Sequence, residues 1–194
     1  MARLIPTASQ TVGPFFGFAL THAAWSDLTK AGAQGEKIRI AGRVLDGDGA
    51  AVPDALLEIW QANAAGKYDH PEDGQAKPLD PRFHGFGRAA TDKDGKYEFL
   101  TVKPGRVPGR GNALQAPHIA VTVFARGLLT HLRTRIYFDG EASNDTDPVL
   151  GKLDNPALRR TLLARPDGKA ADGAAIWRFD VVLQGERETV FFEI

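Results

Sequence analysis

The sequence predicts an all-β protein, an antiparallel β-sandwich with long loops and a short helix near the C-terminal third. Three observations predict it. Short alternating or apolar runs recur along the chain, turn residues separate them, and no strand–helix–strand alternation of the parallel-sheet type is present.

The elements follow in order. Residues 1–36 form an N-terminal arm in which Pro6 and Gly13-Pro14 break any helix. Ala23 to Lys30 supports at most a short helical turn. A floppy terminus is one reading of this arm. Against it stand Phe15, Phe16 and Phe18, apolar groups that need cover, for which a partner surface is one source. Residues 37–194 read as the sandwich domain. Ile38, Ile40 and Val44 alternate with polar residues, the signature of a half-buried strand. Asp46-Gly47-Asp48-Gly49 predicts a tight turn. Ala55 to Ala62 reads as the second strand and Asn63 to Pro81 as a loop. Arg88 to Thr91 is a short strand, Asp92 to Gly95 a turn, and Tyr97, Phe99 and Val102 mark another strand. Lys103 to Pro117, punctuated by glycine and proline, is a long connection of the kind that often carries function. His118 to Ala125 and Leu132 to Phe138 are strands joined across Gly127. Asn155-Pro156 predicts an N-cap and first residue for a helix over Ala157 to Ala164. Ile176 to Leu183 and Thr189 to Phe192 are the last expected strands.

Composition bounds the function. A chain of 194 residues suits one domain with a sizeable core. Lys+Arg and Asp+Glu both number 24, so there is no basic excess to suggest a nucleic-acid partner. Cysteine is absent, which excludes disulfides, thiolate metal sites and cysteine nucleophiles. No stretch approaches the ~20 apolar residues of a membrane span, and the N-terminus lacks a signal-peptide pattern. A soluble, cytoplasmic protein is expected.

Chemical motifs are sparse. No G-x-S-x-G and no phosphate-cradling glycine loop occurs, and Ser143 is the serine outside the N-terminal arm. His22, His70, His84, His118 and His131 form no H-x-H, H-x-x-H or H-E-x-x-H pair. Tyr68 and His70 share a loop and offer the phenolate and imidazole that a hard ferric ion accepts, but two donors do not make a site. Arg126 sits where a strand ends before Gly127, a place from which a guanidinium can grip a carboxylate. A solvated strand-end charge is the plainer reading of the same residue.

Several segments together resemble one family. They are Gly42–Gly49 (GRVLDGDG), Pro53–Asn63 (PDALLEIWQAN), Gly66-Lys67-Tyr68, Gly85–Arg88 (GFGR), Thr101–Gly105 (TVKPG), Pro117-His118-Ile119 and Thr134–Phe138 (TRIYF), and the match runs in order from about Thr7 to the C-terminus. The chain resembles the intradiol ring-cleaving dioxygenases. The resemblance implies a β-sandwich enzyme that binds a catechol on a non-haem ferric ion and inserts both atoms of O2 between the hydroxyl-bearing carbons. Two tyrosines and two histidines hold the iron in that family. Carried over, the first tyrosine is Tyr68 and the first histidine His118. The second tyrosine position holds Val107 and the second histidine position Ala120, neither with a donor atom. The resemblance therefore implies no catalytic or metal-binding residue in this chain, and degenerate ligand positions at Tyr68, Val107, His118 and Ala120. It implies Fe(III) on a beta-type partner that keeps all four ligands, within an (αβ)n assembly.

Further segments resemble the iron-free, alpha-type chain of such an enzyme. They are Thr7–Phe15 (TASQTVGPF), Phe124–Gly127 (FARG) with His131 and Thr134-Arg135, Gln184-Gly185-Glu186, and Thr189–Phe192 (TVFF). In that family the Thr-x-Gly-Pro segment and the FARG arginine reach the catalytic site between chains. Carried over, Arg126 faces the carboxylate of 3,4-dihydroxybenzoate, which is opened to 3-carboxy-cis,cis-muconate. Thr11, Gly13 and Pro14 line the same substrate pocket. Phe15 stands where a tyrosine is common. Tyr68 and His118 become relics, expected to be hydrogen-bonded in a collapsed site. Two rival readings stay open. One is a stand-alone β-sandwich binding or structural protein. The other is a self-sufficient enzyme with replacement ligands such as His70 or His131.

Overall fold

The computed structural model describes residues 19–111 and 113–193. Thr11, Gly13, Pro14 and Phe15 lie outside them.

The first strand, β1 (Lys37–Leu45), alternates buried and open positions, with Ile38, Ile40 and Val44 inward. It pairs antiparallel with β4 (Lys96–Val102) through the register Ile40↔Phe99. Along its other edge run β10 (Ala175–Arg178) and β11 (Val181–Val182), both parallel to it. The second layer is the antiparallel series β3 (Phe86–Ala90), β2 (Leu56–Trp60), β7 (His118–Phe124) and β8 (Leu132–Phe138). β9 (Leu163–Lys169) joins the layers. Its Leu163 and Ala164 pair parallel with Tyr137 and Phe138 of β8, while Arg165, Pro166 and Lys169 pair antiparallel with β10. The result is the expected β-sandwich, with parallel pairings where β1 meets β10 and β11 and where β8 meets β9.

The core lies between the layers. Ile38, Ile40, Tyr97 and Phe99 from one side meet Leu57, Ile59, Ile119, Val121, Val123, Ile136 and Phe138 from the other. Period-2 geometry then sends the intervening residues of the second layer to its outer face. Trp60, His118, Ala120, Arg135 and Tyr137 all belong to that face. It is covered in part by a hairpin of β5 (Val107–Pro108) and β6 (Leu114–Gln115) and by a second cluster of Ala116, Tyr137, Leu150 and Leu162.

Several local expectations change. The helix is shorter than its sequence pattern: α1 spans Pro156–Arg160, capped by Asn155, whose side chain accepts from Ala157 N at 2.8 Å. Leu163 onward is drawn into β9 because its backbone has strand partners on both sides. Ile176 to Leu183 is two strands, broken at Phe179-Asp180. Thr189 to Phe192 is irregular, tied by Thr189 N to Val182 O at 2.9 Å and Phe192 N to Arg133 O at 2.8 Å. Within the arm, Leu28 and Ala33 belong to the core, and Leu28 N donates to Leu100 O at 2.8 Å.

One close approach holds the break at Phe179 in place. Phe179 N donates to Ala41 O at 2.9 Å, and the buried Tyr97 hydroxyl donates to Phe179 O at 2.6 Å. A Cβ on Gly42 would stand 1.7 Å from that same carbonyl oxygen. Gly42→Ala is therefore expected to lower the unfolding free energy by about 3 kcal/mol, an overpacking cost with backbone on the far side. Denaturant melts of the two proteins measure it.

Candidate functional site

The relic end lies at the N-terminal end of β7. Register brings three residues abreast on the outer face: Trp60 faces Ala120 across one edge of β7, and Arg135 faces Ala120 across the other. The methyl of Ala120 fills little space, so the long arginine beside it can lean over the sheet. Arg135 Nη1 donates to Gln115 Oε1 at 2.6 Å and to the Tyr137 hydroxyl at 3.3 Å. That hydroxyl donates onward to Asp147 Oδ1 at 3.2 Å.

Tyr68 enters from the loop after β2. Asn63 Oδ1 accepts from Ala65 N and Lys67 N, and Asp73 Oδ2 accepts from Tyr68 N at 2.8 Å. Gly66 takes φ +80°, and a Cβ there would meet Arg106 O at 2.0 Å, so the turn before Tyr68 requires glycine. The phenol stacks on Trp60, centroids 5.8 Å apart and planes 13° off parallel. Burial raises the Tyr68 hydroxyl above its ordinary value, and the nearby Arg135 charge pulls it back. His118 is buried. Its Nδ1 lies 2.8 Å from Ala116 O, which only accepts, so Nδ1 carries the proton and Nε2 the lone pair. Burial, and next the Arg135 charge, lower its pKa to about 4, against the smaller effects of Ala116 O and Asp147.

An open groove of about 690 Å³ borders Tyr68, lined by Trp60, Tyr68, His70, Glu72, Gln75 and Val107 among others, while the buried His118 is not part of its lining. No hydrogen bond or ring contact joins Tyr68 to His118 among the described residues; each has its own partner. Val107 borders the cavity without a donor. His70 is on its rim, where Nδ1 accepts from Glu72 N at 3.2 Å. His131 is elsewhere: it follows the register pair Val123↔Leu132, about 20 Å along the sheet from His118. There it accepts from Arg133 Nε at 3.1 Å.

Arg126 lies at the opposite end of the same strand. It is two residues beyond β7, about 25 Å from His118 at ~3.3 Å per residue. Leu128 N donates to Ala125 O and Gly127 takes φ +82°, so the chain turns sharply there. Arg126 Nε pairs with Asp54 Oδ2 at 2.8 Å. The structure thus gathers Tyr68, Val107, His118 and Ala120 at one end and sets Arg126 apart. Arg135 and Asp54 are neighbours that the motifs do not single out. Both stood inside the matching segments, but their placement depends on strand register, which residue patterns do not reveal.

The comparisons with known proteins fall on this same architecture. The profile of the family described as Dioxygenase matches residues 12–185. The chain belongs to the intradiol dioxygenase family, whose members depend on a non-haem ferric ion. It is 44% identical to the protocatechuate 3,4-dioxygenase alpha chain of Pseudomonas putida, over 98% of both chains. It is 39% identical to the protocatechuate 3,4-dioxygenase beta chain of Burkholderia cepacia, over 84% of this chain and 73% of that one. Among solved structures, the dioxygenase domain of a dioxygenase carbohydrate-binding protein fusion from Streptomyces sp. SirexAA-E superposes with a TM-score of 0.63 at 28% identity. It covers 93% of this chain and 99% of that one.

The residues at the relic end do not fit a ferric ion. Val107 and Ala120 offer no donor, Tyr68 is held in its neutral form by burial, and a fixed guanidinium bears on both remaining donors. Among the described residues no cluster of three or more histidine, aspartate or glutamate side chains could hold a metal. Adding the donors back is not expected to suffice. Val107→Tyr with Ala120→His should bind Fe(III) only when Arg135→Met is added, as metal analysis and visible absorbance would register.

His118 also predicts a pH effect. Its folded pKa of about 4 lies below the ~6.5 of an exposed imidazole, so the unfolded chain binds the extra proton. Stability from this group is full above about pH 6.5 and is lost as pH falls towards 4, by about 3 kcal/mol in all. His118→Gln should flatten that part of the stability profile, measured by denaturant melts between pH 7 and 4.

Proposed function

We propose that this chain is the iron-free, alpha-type subunit of a protocatechuate 3,4-dioxygenase. With a beta-type partner in an (αβ)n assembly in the cytoplasm, it opens 3,4-dihydroxybenzoate with O2 to 3-carboxy-cis,cis-muconate. The partner holds the Fe(III). When bound there, the ion supplies the site that takes the catechol and makes O2 chemistry accessible. This chain contributes scaffold and part of the substrate pocket. The observation that carries the reading is Arg135, set beside Ala120 and acting on both Tyr68 and His118 where family members place iron.

Arg126 is the residue assigned to the substrate carboxylate, with Thr11, Gly13 and Pro14 lining the same pocket. Three facts support the role of Arg126. It is 74% exposed, it stands on a tight turn, and it lies far from the relic end, so it faces outward from this chain. A guanidinium there orients a carboxylated catechol and disfavours one that lacks the carboxylate. A stand-alone binding protein gives no account of the end-to-end likeness to a named subunit. A self-sufficient enzyme has its two candidate replacement donors, His70 and His131, at opposite ends of the sheet.

Co-expression with a beta-type chain tests the division of labour. The complex is expected to be coloured, to carry iron, and to consume O2 with protocatechuate, while the single chain is colourless and inert. Iron and activity in the single chain would sink the proposal. In the complex, Arg126→Ala is expected to raise KM for protocatechuate about tenfold or more, the loss of one charge-assisted contact, with iron content unchanged.

A further inference from the structure

We propose that Asp54 is the positioning residue for Arg126, holding the guanidinium by its Nε side so that its terminal pair of nitrogens faces outward for a carboxylate. The proposal rests on the reading of Arg126 given above and names what aims it.

The placement comes from register. Leu56 of β2 faces Phe124 of β7. Continuing that antiparallel ladder two residues beyond both strand ends brings Asp54 level with Arg126. The side chains meet there, Nε to Oδ2 at 2.8 Å. A guanidinium presents a side edge that includes Nε and an end edge made of its two Nη groups, and either can match a carboxylate. Asp54 lies against the Nε side as an ion pair. The end edge is the one left for a second carboxylate, and 74% exposure of the arginine side chain keeps it accessible.

The carboxylate of Asp54 has little other employment. Its Oδ1 is buried with no hydrogen-bond partner among the described residues. The turn into β2 is held by Thr91 instead, whose hydroxyl accepts from Ala55 N at 2.9 Å and donates to Val52 O at 2.7 Å. Removing the Asp54 carboxylate therefore spares the local fold. What it removes is the tether on a long side chain that otherwise samples many rotamers, and substrate must then order that side chain on binding.

The opposite effect is physically conceivable, since a carboxylate beside the pocket repels an arriving anion. The experiment separates the two. In the complex with the beta-type partner, KM and kcat are measured for protocatechuate and for catechol, which lacks the carboxylate. Asp54→Ala is expected to raise KM for protocatechuate about fivefold, the scale of ordering one side chain. Values for catechol, iron content and melting temperature stay put. Asp54→Glu, which keeps the charge, restores KM, and Asp54→Ala adds nothing on top of Arg126→Ala. An unchanged or lowered KM in Asp54→Ala, with Arg126→Ala still impaired, overturns the positioning role alone. Unchanged KM in both variants removes Arg126 from the substrate pocket and takes this proposal with it.

Discussion

Strand β7 is hydrogen-bonded along both edges, to β2 on one side and β8 on the other. That double pairing fixes the register of everything built on it. His118 is held at one end and Arg126 beyond the other, and no rotation of side chains can bring them together. The relic end and the proposed substrate arginine are therefore separate places on a rigid strut. On the proposed reading, Arg126 serves a pocket shared with another chain, and its distance from His118 is consistent with a site outside the relic end.

The relic end is governed by charge. Intradiol enzymes place a trivalent cation among phenolates and imidazoles. Here Arg135 brings a positive charge to the same neighbourhood, and it is satisfied by Gln115 and Tyr137. A fixed cation there pulls the Tyr68 hydroxyl downward in pKa, but burial is the larger effect and leaves the phenol neutral. For His118, burial and the same arginine both push the pKa down, which keeps the ring neutral at neutral pH. The pocket has an aromatic wall of Trp60 and Tyr68, while the Arg135 charge opposes a cation beside Tyr68 and His118.

Much of this was legible from residue patterns, and the failures have physical causes. β1, β7 and β8 announce themselves because alternate residues enter one core, and the same alternation put Ala120 and His118 on one face. β9 was illegible. Its sequence, LARPDGK, contains Pro166 and Gly168 and buries little beyond Ala164, so no period survives. It is a strand because two neighbours offer it backbone partners. The reverse holds for Thr189 to Phe192, whose apolar pattern is real but meets scattered bonds to Val182, Arg133, Thr134 and Thr161 rather than a ladder. The ligand positions at Val107 and Ala120 could be read from motif spacing. Arg135 and Asp54 could not, because both matter through residues that face them from other strands. Thr11, Gly13 and Pro14 lie outside the described residues.

The divided pairing of β9 has a thermodynamic consequence. A sandwich whose layers are joined only by side chains can in principle lose one layer before the other. Here a single backbone segment is hydrogen-bonded into both, to β8 through Leu163 and Ala164 and to β10 through Arg165 to Lys169. Pulling either layer apart breaks bonds that anchor the other. The two layers therefore make one cooperative unit, with no fault line between them along which partial unfolding could start.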